Sequence, residues 1–118
     1  MREIKFRGRS PNKKYWYYGE YARGRIFCND GIYHIDPETV DEFAGFKDVD
    51  GVEIYEGDIL QNDEYPEEIG KIINENNCWL VEWFDIDDKT CLCWLLDNTP
   101  QKVIGNIHDN PELLEVGK

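Results

Sequence analysis

The stretch GFKDVDGVEIYEGDIL, Gly45 to Leu60, carries Asp48, Asp50, Gly51, Glu53, Glu56 and Asp58, with all its acids inside eleven positions. It admits three readings: a calcium loop, a pair of catalytic carboxylates, or a turn between strands. A calcium-binding EF-hand loop needs oxygen ligands at positions 1, 3 and 5, glycine at 6 and a bidentate glutamate at 12. With Gly51 at position 6, Asp50 and Asp48 fill positions 5 and 3, but Phe46 falls at 1 and Gly57 at 12. The first ligand and the glutamate are missing, so calcium is set aside. A general acid–base pair needs two carboxylates whose surroundings drive their pKa values apart. Here the acids crowd together with Lys47 as the nearby cation, which predicts exposure to solvent. Asp-Gly is strong turn chemistry. The stretch therefore reads as a chain reversal over Val49-Asp50-Gly51 and a second bend at Gly57, with Asp58 accepting a bond from a nearby backbone N–H.

Outward from this turn the pattern is strand-like. EIKFRGR alternates Ile4 and Phe6 with charged neighbours, SPNKK supplies a turn, and YWYYGEYA follows as an aromatic strand. GRIFCNDGIYHI predicts a second hairpin around Asn29-Asp30-Gly31. Asp36-Pro37 marks another turn; VEIY, DILQ, EIGKIINEN and KVIGNI read as strands, the third with a bend at Gly70. CWLVEWF and TCLCWLL, joined by DIDDK, predict a central hairpin, and HDNPELLEVGK predicts one helical turn from Pro111. About nine short strands define a mainly β class, α+β at most: a small barrel with an added β layer. The 118 residues suit one compact unit, with a basic, aromatic hairpin region over 1–40, an acidic barrel region over 41–118 and a seam near 35–45.

The net charge is -12, unevenly spread. Residues 1–25 hold eight basic and two acidic side chains, net +6, and the other 93 residues carry net -18. No apolar run approaches the roughly 18 residues of a membrane span, and the opening MREIKFRGRSPNKK lacks the apolar segment of a secretory signal. A cytoplasmic protein away from membranes is expected. Cys28, Cys78, Cys91 and Cys93 then read as small buried hydrophobes. Cys91-x-Cys93 with His34 or His108 makes a zinc set on paper, but without paired CxxC spacing. A divalent ion at Asp85–Lys89 is the weaker alternative to a solvated hairpin tip. No nucleophile elbow, zinc-protease motif or P-loop is present, so the reading is of no enzyme, no catalytic residue, no cofactor and no metal.

Three segments carry a resemblance: MREIKFRGR at the start, DPETVDEFAGFKDVDGVEIYEGDIL in the middle and VIGNIHDNPELLE near the end. They resemble the YopX family of phage and prophage proteins, in register across the chain. Where the family typically reads Thr-Gly-Leu-Lys-Asp, this chain has Ala44-Gly45-Phe46-Lys47-Asp48. Residues 61–102 offer no motif to compare. The resemblance implies a β-rich fold whose C-terminal part is similar to an SH3-like barrel, phage origin and a tendency to self-associate. It transfers no catalytic residue.

The charge split points first to a self-assembling or protein-binding module, in which the basic hairpins meet an acidic face of the same chain, another copy, or a host or phage protein. Phe6, Trp16 and Tyr18 are its expected anchors, with Arg7, Arg9 and Arg23 as rim charges. The alternatives are single-stranded nucleic-acid binding on the Tyr15–Tyr18 run, opposed by the acidic remainder, and an acidic nucleic-acid mimic that occupies a host protein.

Overall fold

The computed structural model describes residues 5–84 and 86–115. Glu3 and Ile4 of the first expected strand, Asp85 of the acidic tip and the closing residues 116–118 lie outside them. The described elements are β1 (Phe6–Arg9), β2 (Trp16–Ala22), β3 (Arg25–Cys28), β4 (Gly31–His34), a 3-10 turn at Pro37–Thr39, β5 (Asp41–Lys47), β6 (Glu53–Tyr55), β7 (Asp58–Asn62), β8 (Ile69–Glu75), β9 (Cys78–Trp83), β10 (Lys89–Cys91), α1 (Leu92–Asn98), β11 (Gln101–Asn106) and a 3-10 turn at Pro111–Glu115.

The strands form two antiparallel sheets, ordered β4-β3-β2-β1-β5-β6 and β10-β9-β8-β7-β11. β1 lies inside the first sheet, with Arg7 opposite Tyr18 of β2 on one side and Asp41 of β5 on the other. Directly opposed residues share a face, so this register gathers Arg7, Tyr18 and Asp41 on one side of the sheet. The chain changes sheet between Tyr55 and Asp58, where Gly57 has φ +85°, a left-handed backbone that suits glycine. Asp58 Oδ2 closes the bend by accepting the Tyr55 N–H at 2.8 Å.

The central turn is held from within. Asp48 Oδ1 accepts the N–H groups of Asp50 and Val52 at 2.9 and 2.8 Å, and its Oδ2 accepts that of Val103 on β11 at 2.9 Å. Val49 N–H donates to the Gln101 carbonyl. The expectation of solvated acids fails at two positions: Asp48 is 8% exposed and Asp58 1%. Backbone donors make that burial possible, because a carboxylate supplied with N–H partners does not need water.

One hydrophobic cluster joins Ala44 and Ile54 of the first sheet to Leu60, Ile72, Trp79 and Val81 of the second, and Leu92 and Leu95 of α1 cover it. Two expectations are corrected here. TCLCWLL is no continuous strand: the chain leaves β10 at Cys91 and turns helical. Leu92, Leu95 and Leu96 recur at helical spacing and face the core, while Cys93 and Trp94 point outward, and Pro100 follows the helix. The sheets also do not close into a barrel, because α1 carries the chain across the core to β11, which pairs with β7 and not with β10. Among the described residues there are eleven strands, where about nine were expected. Among the described residues no helix is long and apolar enough to cross a membrane.

A second, smaller cluster buries Ile26 and Ile35 over Gly8. A Cβ on Gly8 would stand 2.3 Å from Ile35 Cγ2. Gly8→Ala is therefore expected to cost about 1–3 kcal/mol by overpacking. Ile35→Ala removes the obstructing methyl, so the double variant should lose less than the sum of the two single losses in urea unfolding.

Candidate functional site

β1 and β5 bring Arg7 and Asp41 side by side, and the bend at Gly57 delivers Asp58 from the second sheet. Arg7 Nε donates to Asp41 Oδ2 at 3.0 Å, and its NH1 lies 2.7 Å from Asp58 Oδ1. NH2 reaches the Glu56 carbonyl at 3.4 Å. The guanidinium lies 5.0 Å from the ring centres of both Trp16 and Tyr55, within cation–π range. Arg7, Asp41 and Asp58 are all buried, a placement such groups adopt only when paired.

An outer layer comes from the segment after β11. His108 Nε2 lies 3.1 and 3.2 Å from the two Asp41 oxygens, and its ring is 5.7 Å from that of Trp16. Trp16 Nε1 donates to Asp109 Oδ2 at 2.9 Å, and Arg9 pairs with Asp109 Oδ1. Lys5 binds Glu53 at 2.6 Å, and the Tyr55 hydroxyl donates to Glu53 at 3.3 Å. Beside this network Arg7, Tyr18, Glu53, Tyr55, Asp58 and Asn106 help line an open pocket of about 320 Å³.

One guanidinium serves two buried carboxylates. Burial pushes the Asp58 pKa up to about 6, aided by the Asp41 charge and opposed by Arg7 and the Tyr55 N–H. Burial, then Asp41 and Glu42, also raises Glu56. The Tyr55 hydroxyl is raised by burial and then by Glu53. The arrangement thus offers a fixed buried cation, an aromatic wall and a carboxyl that exchanges its proton close to neutrality. Among the described residues no three His, Cys, Asp or Glu side chains cluster to hold a metal ion.

A YopX protein family model matches residues 5–115. The chain belongs to the YopX family. No curated protein matches it. The crystal structure of protein EF1440 from Enterococcus faecalis is similar in fold, with a TM-score of 0.64 and 23% identity over 97% of this chain and 99% of that one.

In this YopX-family chain the six residues singled out from sequence divide three ways. Arg7, Arg9, Trp16 and Tyr18 lie together on one face of the first sheet, where Arg7 and Arg9 have intrachain partners and Tyr18 remains 49% exposed at the pocket. Phe6 points to the opposite face, against Tyr21 at 6.1 Å. Arg23 occupies the β2–β3 turn, exposed, with φ 52°. Sequence reading missed Asp41, Asp58, His108 and Asp109 as members of the site. Their only forewarning was the imbalance of charge between the N-terminal segment and the rest. The cysteines are corrected as well: Cys78, Cys91 and Cys93 are exposed and Cys28 half-buried.

Removing one side of a buried charge network leaves the others uncompensated. Arg7→Ala is expected to lower stability by about 3–5 kcal/mol in denaturant unfolding. The pH dependence has a definite sign. Folding raises the Asp58 pKa from 3.8 to about 6, so the folded chain holds a proton that the unfolded chain releases. This contribution is complete below about pH 4 and is lost as pH rises through about 6, a swing of about 3 kcal/mol. Asp58→Asn has no such proton. The stability of wild type relative to Asp58→Asn should therefore fall between pH 4 and 7 in paired urea titrations.

Proposed function

We propose that this YopX-family chain is a non-enzymatic accessory protein of phage or prophage that acts in the host cytoplasm by binding protein, first of all other copies of itself. The carrying observation is an open patch on the first sheet. Glu20, Phe27 and Ile32 lie in one cross-strand row, and Arg25 and His34 lie in the next row on the same face. Phe27 is 41% exposed and Ile32 60%. Towards β1 the same face is covered by His108 and Asp109; over β3 and β4 it is bare.

An apolar pair rimmed by charge has the anatomy of an interface. Among the described residues Arg23 and Arg25 have no ionic partner. The complementary surface on a second copy is the β7–β8 connection. There Asp63, Glu64, Glu67 and Glu68 surround Tyr65, which is 57% exposed. Two different surfaces meeting in this way make a head-to-tail contact that closes into rings or stacks. The aromatic run supports this reading over a nucleic-acid platform. Tyr17 stacks on Tyr33 at 4.0 Å, Trp16 is engaged by Asp109 and His108, and the two rings lie on opposite faces.

Sedimentation velocity across protein and salt concentration tests the proposal. Wild type should associate, more weakly at high salt. Ile32→Asp should yield monomers with an unchanged circular dichroism spectrum. Arg25→Glu should weaken association roughly tenfold, and adding Glu64→Lys should recover part of the loss. A wild type that stays monomeric at every concentration and salt defeats the reading. Binding of single-stranded oligonucleotide that survives Ile32→Asp would favour the nucleic-acid alternative.

A further inference from the structure

At the junction of β10 and α1 the chain sets two thiols face to face at its surface. Cys91 Sγ and Cys93 Sγ lie 3.1 Å apart, and both residues are exposed. Two residues of chain cannot separate their Cα atoms by more than about 7 Å, close to the upper end of the range a disulfide spans. A tetrahedral zinc site places its sulfurs about 3.8 Å apart, given Zn–S bonds of about 2.3 Å. The observed separation is shorter, and among the described residues no third ligand joins the pair. The contact matches two sulfurs poised to bond to each other.

We infer that Cys91 and Cys93 form a redox-active dithiol that exchanges with low-molecular-weight disulfides and closes into a local disulfide between the end of β10 and the first turn of α1. Cys91 is the attacking group. Its pKa is lowered, first by the backbone N–H of Trp94 and next by the hydrogen bond with Cys93. The Cys93 pKa is raised, chiefly by that same contact with Cys91. In the first step the Cys91 thiolate attacks one sulfur of the small disulfide. The S–S bond breaks, one thiolate leaves and takes up from water the proton that Cys91 released on ionising, and a mixed disulfide remains on Cys91. Cys93 then loses its proton to the second departing thiolate as its sulfur attacks Cys91 Sγ. The two protein thiols are oxidised by two electrons, and one small disulfide becomes two small thiols. Because the product bond lies at the surface, it is readily reduced again.

The test uses the full chain with Cys28→Ser and Cys78→Ser, so that only this pair can react. The protein is equilibrated with glutathione disulfide, blocked with an alkylating agent and analysed by mass spectrometry. The inference expects a monomer whose peptide spanning residues 91–93 has lost two hydrogens, takes up no alkylating agent and recovers both thiols with dithiothreitol. On this background Cys93→Ser should trap glutathione on Cys91. Cys91→Ser should acquire the adduct on Cys93 more slowly, since the Trp94 N–H that favours the Cys91 thiolate remains in the Cys93→Ser variant and the thiolate is the nucleophile. Equal adduct rates in the two variants, disulfides only between molecules, or two thiols still open to alkylation in excess oxidant would each overturn it. Circular dichroism of each variant verifies that the fold persists.

Discussion

The guanidinium of Arg7 is the point on which the architecture turns. It belongs to an inner strand of the first sheet, takes one carboxylate from its neighbour strand and another from the first residue of the second sheet, and is walled by two aromatic rings. The hydrophobic cluster that joins the sheets is non-directional and tolerates sliding. The paired charges do not, because a displaced carboxylate would be buried without a partner. Packing drives the sheets together, and this network fixes how they meet. Sharing one cation between two acids leaves an excess of negative charge, and Asp58 accommodates it by holding its proton to a higher pH.

Part of the charge imbalance of the chain is resolved within the molecule. Lys5, Arg7 and Arg9 bind Glu53, the Asp41–Asp58 pair and Asp109, each acid far along the sequence. Of the other described cations in the N-terminal segment, Lys13, Lys14 and Arg23 sit at turns and Arg25 on the bare side of the hairpins, beside Phe27 and Ile32. That surface leaves two apolar side chains and the neighbouring cations uncovered together, and these are the groups the proposed contact with a second copy would cover.

Much of the fold was legible because its signals are local. Asn29-Asp30-Gly31 and Asp50-Gly51 announced their turns, Asp36-Pro37 its 3-10 turn, and the alternation in KFRGR its strand. TCLCWLL was misread because a short run of leucine, cysteine and tryptophan fits either period, and only the core settles which leucines point inward. The open sheet arrangement follows from that helix and was equally hidden. Within the site, the cationic half was visible as a cluster at the N-terminus, whereas Asp41 and Asp58 look like any acid in an acidic chain. Their role comes from strand order, which places β5 against β1, and no nearby residue encodes that pairing.

The partners of the outer layer stand far apart along the chain: Trp16 and Asp109 are 93 residues distant, and Asp41 and His108 are 67. Contacts of such separation form only after long loops have closed, which slows folding. A ribosome releases the N-terminal hairpins well before His108 and Asp109 exist. During synthesis Trp16 and Arg9 therefore remain uncovered, and the site is sealed as one of the last events of maturation. A nascent chain of this protein consequently presents a cationic aromatic surface that the finished molecule partly covers.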